Sequence, residues 1–206
     1  MCRCAGWPHW DRMMDYHDKE WGTPVHDDRR QFEHLMMEAL QCGLSWTLMM
    51  RKREILRGAF DGFDFGAVAR YGEDDVERIM DTDGMIRCRR KVEAVIENAK
   101  RFSDVRAEFG SFSDYIWSFS GNKTLLYEGH DEGNIPAKNA LSELISRDLR
   151  RRGFKYLGPV TVYSHLQACG IINDHEKRCR RFSEINGSYP TLRVTEDFAG
   201  IMPVRT

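Results

Sequence analysis

The segment KNALSELISRDLRRRGFKYLGPVTVYSHLQAC, Lys138 to Cys169, decides the fold. Ala140, Leu141, Leu144, Ile145 and Leu149 recur at helical spacing with polar residues between them, the pattern of a helix that buries one face. The pattern ends at Arg150-Arg151-Arg152-Gly153, where cations suit a helix C-terminus and glycine stops it. After Phe154-Lys155-Tyr156-Leu157, Gly158-Pro159 opens a second helix running through Cys169, since proline suits a first turn. Two helices joined by a short glycine-containing loop form a hairpin. Its second helix begins with unpaired backbone N–H groups and the positive end of a dipole, which together bind phosphate. Gly158 allows close approach, Thr161 adds a hydroxyl, and Lys155, Arg151 and Arg152 add charge. Such contacts hold a nucleic-acid backbone without reading its sequence.

The charge distribution agrees. The whole chain of 206 residues carries a formal net charge of −1, yet residues 138–181 hold ten Lys or Arg against four Asp or Glu. A positive segment on a nearly neutral protein is the electrostatic footprint of a polyanion partner. A solvated helix face would give the same count.

Outside this hairpin the periodicity is again helical. Asp27 or Asp28 can cap a helix whose Phe32, Leu35, Met36, Ala39 and Leu40 form a core-facing stripe. Ser45 can cap a second, to about Arg57, and Asp74-Asp75 open a short one ending near Asp81. A longer helix over about 87–108 carries Val92, Val95, Ile96, Ala99 and Phe102, and Ser111 or Ser113 caps the next. Residues 1–27 show no clean period, and 120–136, with three glycines and a proline, read as a mobile surface loop. No strand ladder, repeat or low-complexity tract is evident. The fold class expected is all-α: one helical domain over 1–180, with the hairpin at 138–169 and a tail, 181–206, to which no role is assigned.

Apolar residues make up 41% and charged residues 31%, an ordinary soluble composition. No apolar run approaches the roughly 18 residues of a membrane helix, and no apolar signal segment opens the chain. A cytoplasmic protein is therefore expected, with its six cysteines reduced or metal-bound rather than paired in disulfides.

Two further constellations carry chemistry. Glu38-Ala-Leu-Gln-Cys-Gly-Leu-Ser-Trp46 sets a carboxylate and an indole on either side of the break at Gly43. Converging on one cavity, they would grip a flat ring by stacking and by accepting N–H bonds. By pattern alone, however, Glu38 lies about 130° from the centre of its helix's apolar stripe, at roughly 100° per residue, which makes it a flank residue. The other constellation is His175-xxx-Cys179, two metal ligands one helical turn apart, which Cys4 and His17 can complete as a Cys2His2 zinc site. Cys2 in place of Cys4, or the pair His165 and Cys169, would satisfy the same spacing. Four protein ligands leave no open position, so the metal would be structural, stapling the first twenty residues to the end of the domain. Such sites contribute on the order of 10–16 kcal/mol of apparent binding free energy.

Several separated blocks resemble one known family. They are Arg3-Cys4, Tyr16-His17-Asp18-Lys19-Glu20-Trp21-Gly22, Glu38 to Trp46, Gly84-Met85-Ile86-Arg87, Tyr115-Ile116-Trp117-Ser118-Phe119, Arg152 to Gly158, and Gln167-Ala168-Cys169-Gly170 through His175. In this order they are similar to the DNA-3-methyladenine glycosylase I family, within the helix-hairpin-helix DNA glycosylases, over about residues 3–179. The resemblance implies an all-α fold and one structural zinc at Cys4, His17, His175 and Cys179. It also implies that Glu38 contacts the excised base as the catalytic carboxylate, that Trp46 stacks on it, and that Tyr16, Trp7 and Trp21 stand nearby. This overturns the flank reading of Glu38.

The chain departs from the family pattern in three places. Two residues, Ala5-Gly6, precede Trp7 where one is usual, Met13 stands where an aromatic is common, and the tail from about Arg181 has no counterpart. The activity implied is hydrolysis of the N-glycosidic bond of 3-methyladenine in double-stranded alkylated DNA by a monomer, with free 3-methyladenine as product, no strand cleavage and no membrane partner. A zinc-stapled binder of damaged DNA that does not cut, or a glycosylase of the same superfamily with another base, would share the charge, the hairpin and the metal ligands.

Overall fold

The computed structural model describes residues 4–8 and 10–201. Among them run α1 (Asp11–Lys19), α2 (Asp28–Gln41), α3 (Trp46–Ala59), α4 (Phe65–Val68), α5 (Glu73–Asp81), α6 (Arg89–Phe109), α7 (Phe112–Ser118), β1 (Thr124–Tyr127), α8 (Ala140–Arg151), α9 (Pro159–Ala168), α10 (Arg180–Ser188) and β2 (Thr191–Val194). None of the described helices is long and apolar enough to cross a membrane.

The caps explain where the helices start. Asp27 accepts from the Arg30 N–H at 2.9 Å, Ser45 from Leu48 at 3.2 Å, Ser111 from Asp114 at 2.8 Å and Asn139 from Ser142 at 2.9 Å. Each satisfies an N–H that the helix cannot, a stabilisation of about 1 kcal/mol. Helix α2 is the hub: every residue from Gln31 to Leu40 is buried, and α3, α6, α7 and α9 pack around it. The core beside it is aromatic, with Phe102 stacked on Phe112 at 4.2 Å and edge-on to Phe32 at 5.1 Å between ring centroids. At the corner between α2 and α3, Gly43 takes φ +81°, a left-handed conformation that side chains resist.

Two expectations are corrected. The first 27 residues contain a helix, α1, whose buried residues are Met13, Tyr16 and His17. They sit at i, i+3 and i+4, but one is a histidine, so no apolar stripe shows in the sequence. Within the expected loop 120–136, Thr124–Tyr127 is a buried strand. It pairs in parallel with β2, Thr124 opposite Thr191 and Tyr127 opposite Val194. A two-stranded parallel pairing across so long a sequence separation leaves no local turn signal. The described part of the tail therefore supplies a helix and a strand, and it ends with the Ile201 N–H donating to the Phe119 carbonyl at 2.9 Å.

The segment after α1 is pinned to the end of α9 by Gly22 N–H to the Gln167 carbonyl, 3.0 Å, and Val25 N–H to the Cys169 carbonyl, 3.1 Å. The close approach depends on Gly170, which has φ +70° and lies so near Thr23 and Pro24 that an added Cβ would meet their backbone at 2.5 Å. Gly170→Ala is expected to lower stability by about 3 kcal/mol or more, measured by thermal or urea unfolding, because backbone strain and a backbone clash add. Gly43→Ala, whose Cβ would meet nothing within 4 Å, should cost only the strain.

Candidate active site

Helices α1, α2, α3 and α9 meet around an open cavity of about 220 Å³. Tyr16 comes from α1, Glu38 and Gln41 from α2, Trp46 from the start of α3, and Ser164 and Gln167 from α9. Trp7 and Trp21 close the side nearest the N-terminal segment. The Gly43 corner thus brings Glu38 and Trp46 to one cavity. Its rings form a cage: Tyr16 lies 5.5 Å from Trp46 at a 50° tilt, and Trp7 lies 6.1 Å from Tyr16 and 5.1 Å from Trp21.

Two carboxyl groups on α2 show what the cavity does to charge. Glu33 is bonded to Arg53 at 2.6 Å and Arg57 at 2.9 Å; burial alone would raise its pKa, but the two guanidinium groups outweigh that and hold it below the usual range. Glu38, five residues on, is 5% exposed, and no hydrogen bond from a described residue reaches its carboxyl. Burial alone pushes it up to about 8. Tyr16 is raised too, by burial and then by the Glu38 charge, so its hydroxyl keeps its proton. An unpaired carboxylate among π-faces is a site for a cation. The flank reading of Glu38 fails because α2 has neighbours on every side.

The extra residue before Trp7 is absorbed by Gly6, at φ +78°, and Trp7 reaches the cage. Met13 is buried and lines a hollow together with Trp7 and Trp46.

Behind Trp7 and Trp21 lie Cys4, His17, His175 and Cys179, with one ligand atom each, all within 4.8 Å of one another; they are the one such group of three or more among the described residues. His17 turns Nδ1 to Asp18 at 2.8 Å and leaves Nε2 3.8 Å from the Cys179 sulfur. His175 turns Nε2 to the Trp21 carbonyl at 3.0 Å, leaving Nδ1 3.5 Å from the Cys4 sulfur and 3.7 Å from that of Cys179. Each ring's outer nitrogen is thus oriented by an oxygen, as in metal sites, and the spacings approach the roughly 3.5 Å between sulfur and nitrogen around a tetrahedral ion. Burial pushes the Cys4 thiol up to about 12, with the neighbouring Cys179 adding to it, and brings His175 down to about 3, the neutral form that ligates. These four residues can hold a metal ion. His165 and Cys169 stand 3.8 Å apart but join no such group, and Cys2 lies outside the described residues.

The hairpin of α8 and α9 is present. Gly158 caps α9 with no side chain, Pro159 is its first residue, and Thr161 lies partly exposed on the first turn. Lys155 is exposed while Asn98 clamps its backbone, accepting from its N–H at 2.7 Å and donating to its carbonyl at 3.0 Å. Arg151 is exposed and paired with Asp148. Arg152 differs from its neighbour: its guanidinium is bonded to Asp148 at 2.7 Å and Glu108 at 2.6 Å and lies over Phe109 and Tyr115. It locks α8 to α6. A run of three arginines on a helix cannot all face one way, which the charge count hides. The sequence reading also missed Gln41, Ser164 and Gln167 as cavity residues; the i, i+3 spacing of the last two on α9 is the signal that was available.

A family model described as methyladenine glycosylase matches residues 7–182. The DNA-3-methyladenine glycosylase 1 of Escherichia coli (strain K12) is 39% identical over 180 residues, 87% of this chain and 96% of the relative. A crystal structure of 3-methyladenine DNA glycosylase I superposes with a TM-score of 0.82 at 37% identity, covering 87% of this chain and 98% of that one. A structure of the Staphylococcus aureus enzyme, solved for the basis of its 3-methyladenine recognition, gives 0.82 at 33% identity over 86% of this chain and 95% of that one. The cage, the buried glutamate and the hairpin thus lie on a shared fold, and the chain belongs to the methyladenine glycosylase family.

Proposed function

We propose that the protein is a monofunctional base-excision-repair glycosylase that hydrolyses the N-glycosidic bond of 3-methyladenine in alkylated double-stranded DNA, acting as a monomer. The observation that carries this reading is Glu38, buried without a partner among the described residues and sharing its cavity with Tyr16, Trp46, Trp7 and Trp21. The α9 N-terminus, Gly158, Thr161, Lys155 and Arg151 hold the DNA backbone while the damaged nucleotide is flipped out of the stack into the cage. Methylation at N3 leaves the adenine cationic, so it departs without prior protonation. The carboxylate of Glu38 and the aromatic faces bind that cation better than neutral adenine, and the difference is the selectivity. The C1′–N9 bond breaks with its electron pair passing to the base, which leaves neutral; water adds to C1′ and releases a proton. No lysine is among the described cavity residues, so a Schiff base and strand cleavage have no nucleophile.

The four-residue cluster fits zinc, and with four protein ligands the ion would hold the N-terminal segment in place and leave the chemistry to the cage. Tyr16 follows from this arrangement, since its neighbour His17 is a ligand.

The pH dependence tests the reading. Glu38 must be ionised to bind the cation, and in the free protein burial holds its pKa near 8. The rate constant kcat/KM for base release is expected to rise with pH up to about 8 and then level, because it follows the free enzyme. A profile flat from pH 6 to 9 would count against a charged Glu38.

The DNA face gives a second test. Lys155→Ala should weaken binding and reduce the slope of log affinity against log salt by about one, with an unchanged melting temperature. Arg152→Ala should lower the melting temperature and leave that slope unchanged. The reverse pattern would put Arg152 on the DNA.

A further inference from the structure

We infer that Gln167, oriented by Asp174, makes the cavity select an exocyclic amine over a carbonyl on the bound purine; this rests on the substrate reading above. Asp174 is 1% exposed, and one of its oxygens, Oδ2, accepts from the Tyr163 hydroxyl at 2.6 Å and from Gln167 Nε2 at 2.8 Å. The other, Oδ1, lies 2.8 Å from His130 Nδ1. The inverted amide would set the Gln167 oxygen against an oxygen that already accepts, with no proton between them. Gln167 is therefore held with its NH2 toward Asp174, and its Oε1 is the atom left for the cavity it lines.

The cavity then offers two acceptors from different helices, Glu38 on α2 and Gln167 Oε1 on α9. The 6-amino group of 3-methyladenine carries two N–H donors and can satisfy both. A purine with a carbonyl there would point a third acceptor at the same pair, which costs more than the loss of one bond. Asp174 acts through Gln167 and is a positioning residue.

The test is the binding of free bases to the full-length protein, followed by quenching of the cavity tryptophans. The ligands are 3-methyladenine and 3-methylhypoxanthine, which differ by amine against carbonyl. Wild type is expected to prefer the amine, and Gln167→Met to lose about tenfold of that preference, chiefly through weaker binding of 3-methyladenine. If both bases weaken equally, or the ratio does not move, Gln167 is only structural and the proposal falls. Should Gln167→Met not fold, the wild type decides. The side-chain amide resonance of Gln167 is expected to shift on adding 3-methyladenine and to stay with N6,N6-dimethyl-3-methyladenine, which has no N–H to give. An unmoved resonance overturns the proposal. Wild type that binds no 3-methyladenine would instead overturn the substrate reading beneath it.

Discussion

Glu38→Gln is expected to slow release of 3-methyladenine by about 10²–10³-fold while making the fold more stable. The first effect follows from removing the one carboxylate that lines the cavity, which holds the cationic nucleotide there and faces the positive charge that passes to the sugar as the bond breaks, a contact worth about 3–4 kcal/mol. The second follows from its pKa of about 8 against an ordinary value of 4.5. Between those pH values the folded protein keeps a proton that the unfolded chain has released, so stability falls as pH rises through that window. Below about 4.5 both states hold the proton and the penalty is absent; above about 8 both have lost it and the penalty is complete. A neutral amide of the same shape escapes the penalty, which is on the order of 3 kcal/mol at pH 7. In thermal melts the variant should therefore unfold higher than wild type, with a gap that widens from pH 5 to pH 8. An equal or lower melting temperature at pH 8 would mean that Glu38 has a partner after all. Activity and stability are opposed at this residue because the same missing partner that destabilises the empty fold leaves room for the cationic base.

Loss of the metal is expected to have the larger effect on stability. The cage rests on the four-residue cluster: Trp7 stands edge-on to His17 at 4.8 Å, and Trp21 to His175 at 4.5 Å, between ring centroids. Without an ion the cluster sets two thiols and two imidazoles against one another in a buried space, with burial holding Cys4 protonated. Stripping zinc with a strong chelator should lower the unfolding free energy by on the order of 5–10 kcal/mol, given typical affinities of such sites. Trp7 and Trp21 should become accessible to a soluble fluorescence quencher before the core unfolds. Cys4→Ser should start from the lower stability and respond little to the chelator. A wild-type melting curve that the chelator does not move, or purified protein with no zinc by elemental analysis, would remove the metal from this picture.

What could be read from the sequence was mostly local. Asp27, Ser45 and Ser111 announce their helices because an N-cap acts within three residues, and the α8–α9 hairpin shows for the same reason. Helix α1 stayed hidden because a metal-type histidine occupies one of its three buried positions. Strand β1 stayed hidden because its partner is in the tail, beyond any local pattern. Glu38 was misplaced by periodicity, which assumes a helix with one wet face, whereas α2 is enclosed. Its placement in the cavity came from resemblance to a family, as did the choice of Cys4 over Cys2 and of His175 and Cys179 over His165 and Cys169. Gln167 was among the residues that carried the resemblance, yet nothing in spacing or composition marks an amide whose orientation is set by a buried carboxyl seven residues later.

The most direct measurement is to incubate DNA methylated at N3 of adenine with the protein and follow free base by chromatography, with strand integrity checked before any alkaline treatment. Release of 3-methyladenine at many turnovers, with strands intact and with Glu38→Ala slowed at least a hundredfold, is the result expected. Tight binding of the methylated DNA with no base released, or full release by Glu38→Ala, would contradict it.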